Sequence, residues 1–489
     1  MVIKITLRSV FLLMAGILIS NLSFSQNMSG ITGSNYAGTN ANLINPSFAS
    51  NLPLKWELHL VTMGMNFDNN FVGISALNDV LNPPPVPADT SVTTFNIANE
   101  LAKYGLVVSD FDRPKFKYLH MNFVLRGPSL MIKINKKHSF GFHNAMRMGF
   151  RFNHFYTGYI PAEIDSNLQY QGAYEFPKFR INMLAFSELG FTYSGIFQDN
   201  NSSRIQAGAT VKLLSGMFGT YILNRKARFE ILPNDDVEVN DFHVKYGYID
   251  PATFNNLPAS PGFSDVAIGK GLGVDIGGTY IIKNRGARAN KKKKVDYQFR
   301  LGASVIDVGR IKFNGGKSLE IDRQNIVFNQ FTTTGINSPG SLDSALSNNF
   351  YGNPTQSLVA NNMKMWLPMA LSVQVDYNIW QFFYINTTII QRIPYGAPGL
   401  YRANVITATP RFETLLFELG VPMMLYEYQY PRLGAYVRLW GLTIGSDYSN
   451  GLMGLGNIWG MNAYMSLKIT PFGKRNKKKK KTSGCPMFF

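Results

Sequence analysis

Two arginines four residues apart, Arg147 and Arg151, share one side of a period-two pattern with His143. Phe140, Phe142, Met146, Met148, Phe150 and Phe152 take the other side, interrupted by Asn144. Arg300 stands the same way in a second such stretch, alternating with Phe299 and Leu301. Successive side chains of a strand point to opposite faces, so these stretches put cations on one face and apolar groups on the other. A helix would scatter the arginines round its circumference. Two chemistries follow for Arg147, Arg151 and Arg300. Cations projecting into a pore set its selectivity; the same cations paired with carboxylates would only fill the space between strands.

Catalytic patterns are absent. The run Gly269-Lys270-Gly271-Leu272-Gly273 lacks the third glycine of a dinucleotide fingerprint and reads as close backbone packing in a strand. No nucleophile elbow, phosphate loop or His-Glu-x-x-His zinc site occurs. His59, His120, His138, His143, His154 and His243 form no ligand pair by spacing and read as lumenal or interfacial. Asp235, Asp236 and Glu238 cluster in a polar stretch, where a solvated loop is the simpler account than a cation site. The sequence therefore reads as a non-enzyme with no cofactor and no metal.

The elements that would position the arginines belong to an exported chain. Lys4 and Arg8 precede an apolar core from Val10 to Ile19, and Ser23-Phe24-Ser25 is a small-x-small cleavage site before Gln26. That is a signal peptide over residues 1–25; its apolar core falls short of the ~20 residues of a spanning helix. The single cysteine, Cys485, has no partner for an internal disulfide. Charged residues are 16% of the chain and aromatics 13%, few and many respectively for a soluble domain. The net charge of +18 is concentrated in Lys283–Lys294 and in a tail from Lys474 to Lys481. Nucleic-acid binding, which would want a basic face beside a recognition element, is not expected. In a barrel both runs would lie at the periplasmic end, near anionic headgroups.

Alternation recurs along the chain. Leu119 to Arg126, Ile205 to Leu213, Tyr297 to Val305, Leu371 to Tyr377 and Ala463 to Ile469 each place apolar residues on one face and polar ones on the other. Several reach the ~9–11 residues of a tilted membrane strand. An open sheet edge in lipid would leave backbone groups unpaired, so closure is required. The polar stretches Asn66–Lys115, Ile222–Pro261 and Gly315–Asn362 read as long extracellular loops. The fold class expected is all-β: a single closed antiparallel transmembrane β-barrel over residues 51–472, at ~33 residues per strand and loop about 14 strands, followed by a basic periplasmic tail over 473–489. No stretch has the length and apolarity of a membrane helix.

Several short motifs appear in order: Tyr36-Ala37-Gly38-Thr39-Asn40, Leu43-Ile44-Asn45-Pro46-Ser47, Gly271 to Gly277, Leu301 to Gly309, Thr409-Pro410-Arg411-Phe412-Glu413, Gly420-Val421-Pro422 and Leu442 to Asp447. Together they resemble a family of uncharacterised outer-membrane barrels of Bacteroidota, similar to the long-chain fatty-acid transporter barrels and to barrels associated with type IX secretion. In the fatty-acid transporters an N-terminal segment with an Asn-Pro-small motif folds into the lumen. The resemblance implies that residues 26–50 form a lumenal plug, with Asn40, Asn42, Asn45 and Pro46 as its working positions. The function it implies is passive passage of small molecules, hydrophobic ones among them, through the outer membrane. The alternative is a scaffold barrel of a secretion or gliding assembly with envelope protein partners, and a third is a soluble exported β-protein. The expected surroundings are outer-membrane lipid.

Overall fold

The alternation seen in the sequence becomes a cylinder turned inside out. In the computed structural model, which describes residues 28–70, 72–74, 106–108, 116–156, 172–232, 236–250, 253, 267–284, 297–328, 338–394, 396, 398–450 and 458–470, the polar face of each strand is buried and the apolar face is exposed. Fourteen antiparallel strands form the closed wall. They are β1 (Trp56–Asn69), β2 (Phe116–Arg126 continued by Ser129–Lys133), β3 (His138–Tyr156), β4 (Phe179–Asp199), β5 (Ser203–Ile231), β6 (Gly269–Ile282) and β7 (Phe299–Phe313). Then follow β8 (Met363–Trp366 and Ala370–Trp380), β9 (Phe383–Arg392), β10 (Val405–Glu413), β11 (Phe417–Gly420 and Met423–Tyr426), β12 (Tyr430–Leu433 and Ala435–Leu439), β13 (Leu442–Ser446) and β14 (Gly460–Ile469). Closure is made by β1, which pairs β14 from Leu58↔Ile469 to Asp68↔Gly460 on one side and β2 on the other.

Exposed Phe140, Phe191, Val211, Leu272, Ile276, Leu371, Ile406, Leu419, Ile444 and Met461 face outward from nine of these strands. Inward positions on the same strands are Arg147, Glu188, Lys212, Asp275, Gln374, Arg411 and Lys468, all buried. A soluble sandwich would bury the first set and wet the second. No helix among the described residues is long and apolar enough to cross a membrane.

Short turns gather at one end of the wall, at 134–137, 200–202, 381–382, 414–416 and 440–441, while most longer connections lie at the other. The lysine-rich connection between β6 and β7 leaves from the short-turn end, where Lys283 Nζ meets Asp199 Oδ1 at 2.6 Å. Most of that connection, the signal peptide, the basic tail and Asp235 lie outside the described residues.

Two of the expected loops are instead structured. β5 runs on beyond the wall, and its upper half pairs with Val237–Ile249, which in turn pairs with Gly316–Phe328. Ile222–Pro261 and Gly315–Asn362 are therefore largely a sheet arm at the long-loop end, and Asn66–Asn69 belongs to β1. Cross-strand ion pairs suit this arm to water, Lys245 to Glu320 at 2.8 Å among them. Its other face receives the helix Pro339–Tyr351, where Phe350 packs on Phe242 with ring centroids 4.8 Å apart. Ser338 caps that helix by accepting from Ser341 N, while Ser341 Oγ accepts from Ser338 N. Tyr246 and Tyr248 both donate to Asp343 of the helix; burial pushes that carboxyl above its ordinary range.

A closed wall of this kind resists detergent at room temperature. Unboiled protein is expected to run ahead of boiled protein on a detergent gel; identical mobility, together with release by carbonate, would refute the membrane barrel.

Candidate functional site

Residues 28–54 lie inside the strand ring as three short helical turns, Ser29–Thr32, Gly38–Leu43 and Pro46–Asn51. Asn45 is the N-cap of the third: its side chain accepts from Ser47 N at 3.0 Å, and Pro46 supplies the fixed φ of a first helical position. Asn45 Nδ2 also donates to Gln374 Oε1 on β8 at 3.0 Å and to the Gly278 carbonyl on β6 at 3.2 Å. Asn42 donates to Thr192 on β4 at 3.2 Å, and Asn40 to Ser466 on β14 at 3.1 Å. The four positions Asn40, Asn42, Asn45 and Pro46 thus belong to one buried segment that touches several sides of the wall.

The wall is bare where Asn45, Pro46 and Ser47 rest on it. Gly208 of β5 and Gly277 of β6 are register partners, and Gly302 of β7 pairs with Thr279. A Cβ on Gly208 would lie 2.7 Å from the Pro46 carbonyl oxygen; one on Gly277 would lie 2.3 Å from Asn45 Oδ1; one on Gly302 would lie 2.9 Å from Asn45 Nδ2. Among the described residues, no backbone-to-backbone hydrogen bond joins residues 28–54 to a wall strand. Side chains make the attachments: Arg126 Nη1 donates to the Thr39 carbonyl at 3.0 Å, and Gln206 Nε2 to the Ser47 carbonyl at 2.9 Å.

The three arginines go to three separate clusters. Arg147 makes two parallel hydrogen bonds of 2.8 Å to Asp307, the fork geometry that favours arginine over lysine. Lys212 and Arg402 each reach the same carboxylate at 2.7 Å; Asp275 pairs with Lys212 at 2.7 Å and Glu188 with Arg147 at 3.2 Å. Three cations thus meet three carboxylates. Arg300 binds Asp376 at 2.7 Å, the Asn35 side chain at 3.1 Å and the Gly33 carbonyl at 3.0 Å. Arg411 bridges Asp376 and Glu413, and Arg438 meets Glu418 at 2.9 Å. Ser34 and Asn35 of the inner segment donate to Glu418 and Glu413, each at 2.8 Å. Arg151 lies toward the long-loop end, 3.3 Å from Glu427 and in contact with His120. Of the two chemistries open to these arginines, the structure shows the paired one: each contacts a carboxylate.

Simple alternation missed Asp307. Continued from Phe299, the period-two pattern places it outward. A bulge intervenes: Ile306 and Asp307 of β7 together oppose Asp275 of β6, and the Asp307 amide donates to Asp275 Oδ1 at 2.7 Å. Asp307 sits at φ 59° and turns inward, the re-aiming that bulges provide. Tyr297 is a second departure: it precedes the strand and sends its hydroxyl inward to Asp376 at 2.7 Å.

At the long-loop end the lumen opens into a vestibule of about 940 Å³. Among the described residues its wall carries Lys117, Lys178, Arg180 and Arg392 against one carboxylate, Glu427, with Tyr118, Tyr401 and Tyr430 between them. Arg180 donates to the Tyr401 hydroxyl at 3.0 Å. The turn that presents Glu427 has both central residues, Glu427 and Tyr428, at positive φ (47° and 59°), with Gln429 N bonded to the Tyr426 carbonyl. A type I′ turn demands that backbone and ordinarily takes Asn-Gly there. Elsewhere, among the described residues, His243, Glu320 and Asp322 form one group with metal-ligand chemistry, but Lys245 already holds Glu320.

The profile of the DUF5723 family matches residues 46–447. The chain belongs to DUF5723, a family of unknown function. The match starts at Pro46, so the bare wall glycines and Arg147, Arg300 and Arg151 with the carboxylates they pair with fall within it, while Asn40, Asn42 and Asn45 precede it. No curated protein matches the chain. Among solved structures it is similar to the Pseudomonas putida toluene transporter TodX, at 10% identity over 91% of this chain and 96% of that one, with a TM-score of 0.38. It is also similar to a Pseudomonas aeruginosa FadL homologue, at 11% identity over 89% and 93%, TM-score 0.28. The outer-membrane protease OmpT of Escherichia coli matches at 8% identity over 85% and 95%, TM-score 0.21.

Proposed function

We propose that this DUF5723 barrel spans the outer membrane and passes small solutes by diffusion through its lumen, with residues 28–54 as a plug that can move. The observation that carries this is the manner of attachment. The segment rests on bare glycines and is held by side chains, with no backbone-to-backbone hydrogen bond to the wall among the described residues. It can shift without unpairing a strand. The exposed apolar belt supports lipid as the surroundings, and the vestibule supports a solute route from the long-loop end. Among the described residues the lining of that vestibule has no Leu, Ile, Val, Phe or Met, which favours polar solutes among the small molecules that the family resemblance implies.

A second reading, a scaffold barrel with envelope protein partners, is favoured by the filled, charge-paired lumen and by the sheet arm standing beyond the wall. Conductance separates the two. In planar bilayers the purified chain is expected to show brief openings from a closed baseline. A silent wild type, together with silence of a variant whose plug is displaced, would leave the scaffold.

A further inference from the structure

The vestibule has the chemistry of a binding site for a particular solute. Within its wall Glu427 is already engaged, by Arg151 at 3.3 Å and Arg392 at 3.2 Å. Among the described residues neither Lys178 nor Arg180 forms an ion pair. Cations gathered in a concave site with too few carboxylates attract an anion, and guanidinium groups hold carboxylates by directed hydrogen bonds. The uncharged part of the lining restricts what that anion can be. Among the described residues the apolar side chains of the lining are tyrosine rings and prolines, which offer flat faces. Asn153, Asn404 and Gln429 add amide groups. Tyrosine faces suit the C–H faces of a pyranose ring, and amides suit its hydroxyls. The volume lies near the top of the ~300–1,000 Å³ range of small-molecule sites, enough for more than one sugar ring.

The turn at Glu427 supplies a second observation. Two non-glycine residues at positive φ are costly, and such conformations persist where the surroundings hold them in place. Here the turn puts a carboxylate between Arg151 and Arg392 and receives the Asn404 amide on Glu427 Oε2. Glu427 therefore occupies a position that a ligand carboxylate could take.

We infer that the vestibule binds an acidic oligosaccharide, a carboxylate-bearing carbohydrate of two or three units. Lys178, Arg180 and Arg392 take its carboxylates, Tyr118 and Tyr430 stack on its rings, and Glu427 is the resident competitor. This names a solute for the barrel proposed above and rests on that reading only for transport; binding needs no conduction.

The test is calorimetric titration of the full chain in detergent micelles with trigalacturonate, with maltotriose and octanoate as the neutral and the apolar probes. Trigalacturonate is expected to bind at least about tenfold more tightly than either, and to weaken as salt rises. The pair Lys178→Ala and Arg180→Ala should lose at least about tenfold in affinity, the loss expected from two charge-assisted hydrogen bonds. Glu427→Gln should bind more tightly than wild type, a gain that misfolding cannot produce, with gel mobility checking the fold of each variant. Equal binding of maltotriose, tighter binding of octanoate, or affinities unchanged in both the double variant and Glu427→Gln would overturn the inference. Binding by a barrel that never conducts would sink the transport reading and keep this site; conduction without binding would do the reverse.

Discussion

Asp307→Ala is expected to cost the folded barrel about 3–5 kcal/mol, measured by urea unfolding from lipid vesicles, the loss typical of breaking a buried ion pair. The size follows from what one carboxylate holds. Its two oxygens bind Arg147, Lys212 and Arg402, and all four groups are buried. Removing it leaves Asp275 and Glu188 to face three cations, in a place water does not reach. Asp307→Asn keeps the volume and should lose nearly as much, since an amide offers one acceptor where two charged oxygens stood. Arg402 is the partner to remove for rescue, because among the described residues its one side-chain hydrogen bond is to Asp307. The double variant Asp307→Asn with Arg402→Met should regain at least about 1 kcal/mol over Asp307→Asn alone, as contacting residues couple by ~0.5–3 kcal/mol. Additive losses in that cycle, or a loss below about 1 kcal/mol for Asp307→Ala, would show that the cluster does not hold the wall together.

What could be read in the sequence was what period two encodes. The inward set of β3, with His143, Arg147 and Arg151, follows from the pleat alone, and so do Lys212 on β5 and Lys468 on β14. The pairings of those cations were not legible. Arg147 and Asp307 are far apart in sequence, and the bulge that turns Asp307 inward leaves no mark in composition. The sheet arm was missed although its strands do alternate: Phe242, Val244 and Tyr246 take one face against Asp241, His243 and Lys245 on the other, and the polar, proline-bearing residues around them made the whole stretch read as a loop. The inner segment was legible as asparagine-rich and unlike a lipid-facing strand, and the sequence also held a sign of its seat: Gly208, Gly277 and Gly302 fall on inward positions, where other strands carry filling side chains. Glycine at an inward position marks a close approach of backbone. The vestibule left almost no trace, because Lys178, Arg180, Arg392 and Glu427 come from the ends of strands that sequence order does not bring together.

Gly208→Leu should open the lumen. The glycine faces the Pro46 carbonyl and the Ser47 amide, both backbone groups, so a side chain there cannot be met by a rotamer change. Overpacking of this kind costs about 1–3 kcal/mol. The cost falls only on the state in which residues 45–47 lie against β5, because the wall's own hydrogen bonds run in the plane of the sheet and are untouched. A penalty confined to the closed state multiplies the open population by ~5- to 150-fold. In planar bilayers the variant is therefore expected to show at least about a fivefold rise in open probability, with an unchanged gel shift. Gly278, the next residue after Gly277 on β6, gives the matched control: it points outward, and a Cβ there meets only the Gln206 carbonyl at 3.7 Å. Gly278→Leu should conduct as wild type does. If Gly208→Leu folds normally and stays as closed as Gly278→Leu, residues 28–54 are fixed filling and diffusion past them is not how this barrel works. If both variants open, the leucine acts on the wall and not on the plug.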